Sequence, residues 1–168
     1  LIRSDGGATA ARELVDKAVG ARPHSLRLRL LQGRLLLKLE DWDAAAGSFK
    51  RVLDSADSIH PGDRATAMAG VAAAALGAGQ PERARNVARK ALELDPSSLA
   101  ARLAHGQALL AGGWVAKAEA AFDAVLRHST EPSVRAVAAC GAAQARHQSG
   151  DPEGRERLLA LARALDPN

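Results

Sequence analysis

The sequence predicts an all-α protein built as a stack of antiparallel helix hairpins. Hydrophobic residues make up 47% of the 168 residues, but aromatic residues make up only 2% and Tyr is absent. The apolar residues are therefore mostly Ala, Leu and Val, and runs of the kind that strands favour are nearly missing. In addition, one pattern of helix, turn and helix recurs along the chain, with Pro and Gly at the boundaries.

The recurring unit is about 34 residues long. Residues 65–98 and 99–132 both have this length, and each contains a helical first half, a Gly-containing turn and a helical second half. Two further copies begin at Leu26 and Ala136, so that successive starts lie 39, 34 and 37 residues apart. The extra residues fall in polar segments between hairpins, where insertions cost little.

Equivalent positions of the four copies carry similar side chains. Position 8, counted from the start of each copy, is always small: Gly33, Ala72, Gly106 and Ala143. Positions 20, 24 and 27 are small or apolar in the first three copies: Ala45, Phe49, Val52, Ala84, Ala88, Ala91, Ala118, Phe122 and Val125. A spacing of four and then three residues follows one face of an α-helix, so we predict that these residues form the core.

The starts of the second helices carry recognisable signals in most copies. Asp41 and Asp151 are suited to cap a helix, and Pro81 and Pro152 are suited to its first position. The third copy has the segment 112–114, Gly-Gly-Trp, which offers no capping side chain. We therefore expect a looser turn there.

This pattern resembles the tetratricopeptide repeat, whose period is about 34 residues. The segment 91–96, Ala-Leu-Glu-Leu-Asp-Pro, is similar to the consensus ending of that family, and residues 165–168 echo it. The resemblance implies a right-handed α-α superhelix, a solenoid of antiparallel helix hairpins. It covers the chain as a single array over residues 1–168, with a half repeat over residues 1–25 and repeats that start near residues 26, 65, 99 and 136.

The two ends of the array differ from its middle. Aligning Pro23 with the terminal Pro of the family pattern makes residues 1–25 half a repeat, in which Leu1 and Ile2 end an incomplete first helix. We interpret this as a boundary within a longer protein, with a naturally frayed terminus as the alternative. In the last copy Arg155 and Arg163 stand where Ala and Leu are usual, which favours a capping repeat that faces water.

The resemblance also implies where a partner would bind. In this family the first helix of each hairpin lines the concave surface, which is extended and preformed. The residues predicted to line this groove are Arg27, Leu30, Arg34, Leu37, Lys38, Ala69, Ala73, Leu76, Leu103, Gln107, Leu110, Cys140, Gln144 and His147. The groove is basic and leucine-lined at its first repeat, apolar in the middle and polar at its last repeat.

We hypothesise that this groove takes an amphipathic segment, helical or extended, with acidic groups near the first repeat. The alternative is that its leucines are simply core residues: Leu30, Leu37, Leu103 and Leu110. A clamp for the C-terminal carboxylates of chaperones, known in some members of this family, needs Lys and Asn where this chain has Leu30 and Arg34. That particular function is therefore unsupported.

Other classes of function find little support in the sequence. The net charge is +4, but residues 1–38 carry eight basic and three acidic side chains while the rest carry 15 and 16, and no aromatic set for stacking bases accompanies them. We therefore predict no nucleic-acid binding. No apolar run is long enough to insert into a membrane. Five scattered His and one Cys predict no metal site, and no convergent polar set predicts catalysis or a cofactor.

Three isolated side chains have simple structural interpretations. We expect Cys140 to be a small buried residue rather than a nucleophile, and Trp42 and Trp114 to be packing residues that flank hairpin turns.

The sequence therefore predicts a non-enzymatic scaffold that binds a protein or peptide partner. One alternative is a structural or self-assembling segment of a larger bacterial envelope, secretion or exopolysaccharide-export protein, associating through the incomplete first repeat. Another is an accessory domain of an enzyme whose activity is encoded elsewhere. The Ala- and Arg-rich composition suggests a bacterial source, with a location in either cytoplasm or periplasm.

Overall fold

A computed structural model describes residues 5–55 and 59–166, and this part of the chain contains α-helices and no strand. The expected end of a helix at Leu1 and Ile2 lies outside the described residues. The all-α class is confirmed. The helices are α1 (Asp5–Ala21), α2 (Leu26–Lys38), α3 (Trp42–Asp54), α4 (Pro61–Gly77), α5 (Pro81–Leu94), α6 (Leu99–Ala111), α7 (Val115–His128), α8 (Pro132–Gln148) and α9 (Pro152–Leu165).

The helices pack in sequence order as hairpins. Helices α2 and α3, α4 and α5, α6 and α7, and α8 and α9 pair, and each second helix also packs on the first helix of the next hairpin. The first helices contact one another directly, α2 with α4, α4 with α6 and α6 with α8. They therefore form one continuous layer, as in a superhelical solenoid. Its division into numbered repeats stays a prediction, and α4 and α8 begin one turn before the predicted starts at Ala65 and Ala136.

The four turns within hairpins share one backbone conformation. Each contains a residue in the left-handed region: Glu40 (φ 59°), Gly79 (φ 72°), Gly113 (φ 83°) and Gly150 (φ 76°). Two backbone hydrogen bonds then close the end of the helix. In the third hairpin the N–H groups of Gly113 and Trp114 donate over 3.0 and 2.9 Å, the same distances as in the second hairpin. The expectation of a looser turn at Gly112–Trp114 was therefore wrong, because the backbone closes the turn without a capping side chain.

The predicted start signals are confirmed. The carboxylate of Asp41 accepts a hydrogen bond from the N–H of Ala44 at 3.3 Å, and that of Asp151 accepts one from the N–H of Gly154 at 2.9 Å. Pro81 and Pro152 open α5 and α9.

The core alternates between hairpins that contribute a phenylalanine ring and a hairpin that contributes alanines. Phe49 and Phe122 are 1% and 0% exposed, and each ring lies against two glycines, one from its own hairpin and one from the next. The intervening hairpin instead contributes alanines that are fully buried: Ala72, Ala84, Ala88 and Ala91. Every predicted residue at position 20, 24 or 27 of the first three copies is buried.

A longer period of two hairpins follows from this alternation. Phe49 and Phe122 lie 73 residues apart in the sequence, as do Arg29 and Arg102. The guanidinium of Arg29 donates to the carbonyl oxygen of Pro23 at 2.9 Å, and that of Arg102 donates to the carbonyl oxygen of Pro96 at 2.6 Å. The same inter-hairpin corner is thus built twice.

Both ends of the described array are less buried than its middle. Leu14 in α1 is 70% exposed, and Val19 is the one buried residue among the described side chains of that helix. In α9 the buried residue is Ala162, while Arg155 is half-buried and Arg163 is exposed. At each end of the described array, one helix face is therefore exposed to solvent. In the middle of the array a neighbouring hairpin covers the equivalent face.

Candidate functional site

A cleft of about 210 Å³ opens on the inner layer where α2, α4 and α6 meet. Its lining comes from these three helices, from the neighbouring core and from the start of α8. The lining residues are Arg34, Leu37, Phe49, Thr66, Ala69, Gly70, Ala73, Ala100, Leu103, Ala104, Gln107 and Val137. Three successive hairpins thus contribute most of one concave site, and the fourth adds Val137.

The floor of the cleft is made of small buried residues over an aromatic ring. Ala69 and Ala104 are each 5% exposed, and Gly70 is buried beside the ring of Phe49. A Cβ atom at Gly70 would lie 2.5 Å from that ring, so a larger residue cannot stand there without displacing the ring. The floor is therefore held by the same contact that locks the first hairpin to the second.

The walls and rim are mostly apolar, with Thr66 and Gln107 as neutral polar residues and Arg34 as a cation. Leu37, Ala73 and Leu103 are half-buried, and Val137 is 46% exposed, which is a large fraction for a Val. Arg34 is exposed at the rim. The site therefore combines open apolar surface with a positive edge.

More basic side chains lie along the exposed face of α2, beside the cleft. Its exposed stripe consists of Arg27, Leu31, Arg34 and Lys38, which recur at intervals of four, three and four residues. Within residues 5–55 and 59–166 the three cationic side chains form no ion pair, while Leu31 is 51% exposed. The surface beside the cleft is thus basic and amphipathic.

The structure brings together six of the residues predicted to line the groove: Arg34, Leu37, Ala69, Ala73, Leu103 and Gln107. Arg27 and Lys38 lie on the exposed stripe of α2. Leu30 and Leu76 are half-buried against core clusters, and Leu110 is 7% exposed inside one. Leu110 therefore packs as core and is not part of the open surface. Leu37 and Leu103 line the cleft but also pack against core clusters, so the alternative interpretation of the leucines holds for them in part.

The remaining predicted groove residues lie on α8 and do not line the cleft. Cys140, Gln144 and His147 are exposed and share one stripe of that helix with Val137. The expectation that Cys140 is buried was therefore wrong. The buried positions of α8 form its opposite face, and Cys140 falls between them at the helical spacing of the exposed stripe.

Sequence reasoning missed Phe49, Gly70, Ala104 and Leu31 as parts of this surface. A signal for Gly70 was present, because Gly141 follows it after 71 residues and meets the ring of Phe122 as Gly70 meets that of Phe49. That signal appears only when the chain is compared at the period of two hairpins rather than one.

The two tryptophans, Trp42 and Trp114, make contacts within the fold. A Cβ at Gly77 would lie 2.5 Å from the ring of Trp42, and the guanidinium of Arg85 lies 4.2 Å from the centre of the Trp114 ring. Burial lowers the pKa of His105, and the charges of Arg85 and Arg89 lower it further.

Residues 5–55 and 59–166 hold no group of three or more His, Cys, Asp or Glu that could bind a metal. Within the same ranges, every helix is too short or too polar to span a bilayer.

Stacked helix hairpins with an open inner surface define an α-solenoid, and such proteins bind through their concave side. Two family models, each described as tetratricopeptide repeat, match residues 3–64 and 75–140. The chain belongs to the tetratricopeptide-repeat family. Comparison with curated proteins found no match.

Solved structures share the fold. The crystal structure of TTC0263, a thermophilic TPR protein in Thermus thermophilus, matches with a TM-score of 0.77 and 20% identity, covering 97% of this chain and 85% of that one. YrrB, described as a TPR protein with an unusual peptide-binding site, matches with a TM-score of 0.60 and 19% identity, covering 98% and 81%. MamA matches with a TM-score of 0.62 and 16% identity, covering 98% and 92%. At these identities the likeness shows the fold alone.

Proposed function

We propose that this chain is a protein–protein interaction scaffold that captures a peptide or helical segment of a partner in its concave groove. The observation that carries the proposal is the cleft between α2, α4 and α6, where half-buried leucines and an exposed Val137 line a concave surface. Open apolar surface of this kind, bordered by polar groups, is typical of interaction sites.

The architecture supports this function in a second way. The floor of the cleft belongs to the core, because Phe49 and Gly70 join the first two hairpins there. A preformed surface loses little conformational freedom on binding, which favours affinity. YrrB, which shares the fold, is described as having a peptide-binding site. Capture of a segment needs no catalytic group and no cofactor, so we propose a non-enzymatic role.

The test uses peptides selected on the immobilised protein from a random displayed library. We expect the double substitution Leu37→Glu with Leu103→Glu to abolish binding, because it buries two carboxylates in the cleft. The matched control is Leu14→Glu with Leu94→Glu, which changes two exposed leucines away from the cleft. Circular dichroism checks that both variants stay helical, and fluorescence anisotropy measures binding.

Undiminished binding to the folded cleft variant would refute capture in the groove, as would failure of the library to yield any binding peptide. If the cleft variant unfolds, Val137→Lys replaces it, because Val137 is 46% exposed and tolerates a polar side chain.

A second candidate function is self-assembly, within a larger bacterial envelope, secretion or export protein in either cytoplasm or periplasm. The observation that favours it is Leu14, which is 70% exposed on the face of α1 that no described helix covers. If this face joins copies together, Leu14→Glu will lower the sedimentation coefficient at high protein concentration. A wild-type chain that stays monomeric at every concentration would contradict self-assembly and leave capture in the groove untouched.

A further inference from the structure

We propose that the captured segment is acidic and amphipathic, seating one bulky apolar side chain in the cleft and pairing its carboxylates with the cations of α2. This inference rests on the proposed capture function and specifies the chemistry of the partner. The segment carries one apolar anchor and flanking carboxylates, and each chain binds one such segment.

The size of the cleft argues for a single side chain. Sites for small molecules usually enclose about 300–1,000 Å³, whereas this cleft measures about 210 Å³. The space accommodates either several water molecules or one large apolar side chain. Because the lining is mostly carbon, an apolar side chain is the better occupant.

The lining explains why the anchor must be bulky. Ala69, Gly70 and Ala73 leave space where longer side chains would fill the cleft, and Leu37 and Leu103 stand on opposite sides of that space. A small anchor such as Ala would leave the leucines in contact with water. A Leu, Met or Phe would bury them, and burial of apolar area is the main source of affinity at such sites.

The charge of α2 specifies the flanks of the segment. Arg27, Arg34 and Lys38 are exposed on one stripe and form no ion pair with any described side chain. Leu31 lies between them and is 51% exposed. A partner with alternating carboxylates and apolar side chains complements this stripe. Exposed ion pairs are individually weak, so the carboxylates mainly steer and orient the segment.

The second half of the array lacks an equivalent site. At the two-hairpin spacing of 71 to 73 residues, Gln107 replaces Arg34, Cys140 replaces Ala69, and Gln144 replaces Ala73. The cation is lost, and the larger side chains of Cys140 and Gln144 stand where the first site has methyl groups. We therefore infer one anchor site per chain and a one-to-one complex.

The experiment selects peptides from a random library displayed on phage against the wild-type chain. We expect the selected peptides to share one Leu, Met or Phe with Asp or Glu on its flanks. We expect Ala73→Leu, which fills the cleft, to weaken binding of these peptides at least tenfold. Arg34→Glu weakens it several-fold, by an amount that shrinks in high salt. The matched control is Lys50→Glu, which makes the same charge change on the exposed face of α3 and leaves binding unchanged.

The outcomes separate this inference from the function on which it rests. One set of results would overturn the partner chemistry alone. In it, the selected peptides lack acidic residues and bind the Arg34→Glu variant as well as the wild-type chain, but they still fail to bind the Leu37→Glu with Leu103→Glu variant. Binding that is insensitive to Ala73→Leu as well as to the double substitution would overturn both. If Ala73→Leu lowers the thermal midpoint, Ala73→Ser replaces it. We expect weaker binding from its hydroxyl group against the apolar anchor, and binding equal to that of the wild-type chain would overturn the anchor. A stoichiometry of two peptides per chain would contradict the single site.

Discussion

Gly70 lies so close to the ring of Phe49 that a Cβ atom there would stand 2.5 Å from it. Gly33, from the hairpin of Phe49 itself, meets the same ring, with its Cβ position 2.6 Å away. The ring therefore fills the space that two missing side chains leave, and it joins α2, α3 and α4. Because Gly70 also lies in the floor of the cleft, the contact that holds the solenoid together shapes its concave surface as well.

Adding one methyl group at this contact should destabilise the fold. We expect Gly70→Ala to lower the free energy of unfolding by about 1–3 kcal/mol, because the ring of Phe49 is buried and has little room to move. Phe49→Leu should partly rescue it in the double variant. Urea denaturation followed by circular dichroism measures both effects.

The matched control for this change is Gly47→Ala in α3. No atom outside its immediate surroundings lies within 4 Å of a Cβ added there, so the substitution should stabilise the helix by about 0.5–1 kcal/mol. Equal effects of the two substitutions would show that helix propensity, rather than the close approach to Phe49, governs Gly70.

Glu40 occupies a position that glycine fills in the other three hairpins. Its φ of 59° lies in the left-handed region, which costs a non-glycine residue about 1–2 kcal/mol. We expect Glu40→Gly to raise the free energy of unfolding by about 0.5–1 kcal/mol, since the greater freedom of glycine in the unfolded chain offsets part of the gain. Thermal melting checks this. Gly79→Ala, at φ 72°, should destabilise by about 1 kcal/mol and serves as the reverse control.

His105 should make stability depend on pH in the mildly acidic range. Burial, followed by the charges of Arg85 and Arg89, lowers its pKa in the folded chain below the ordinary value of 6.5. As pH falls below 6.5, the unfolded chain takes up a proton at this residue before the folded chain does, so stability is lost. The contribution is fully present above pH 6.5.

His105→Gln should flatten this dependence while leaving the helical spectrum unchanged. Chemical denaturation between about pH 7 and 5 is the relevant measurement, because unpaired carboxylates titrate mainly below that range. Hydrogen bonds from the side chain and backbone of Ser97 lower the pKa of Asp95. This carboxyl group therefore titrates at still lower pH and does not contribute between pH 7 and 5. An unchanged slope in the His105→Gln variant would contradict this assignment.

The fold could be predicted from the sequence because its signals recur in register. Side chains at positions 8, 20 and 24 repeat with the hairpin, and Asp41 and Pro81 mark helix starts that the structure contains. The closure of the turn at Gly113 was missed because it depends on backbone hydrogen bonds, which leave little trace in side-chain chemistry.

The candidate site was less predictable because identical residues at equivalent positions differ in burial. Leu37 and Leu110 both occupy position 12 of a copy, yet Leu37 lines the cleft and Leu110 is 7% exposed in the core. Which of them reaches the surface depends on the size of residues from the neighbouring hairpins. A pattern read along one helix does not contain that information.

Capture in the groove is tested most directly by mapping a selected peptide on the isotope-labelled chain with amide NMR. We predict that the signals of Ala69, Ala73 and Leu103 shift on titration, while those of exposed residues on the opposite layer, such as Lys50 and Arg89, stay in place. Shifts confined to α3, α5 and α7, or to the exposed face of α1, would contradict binding in the concave cleft.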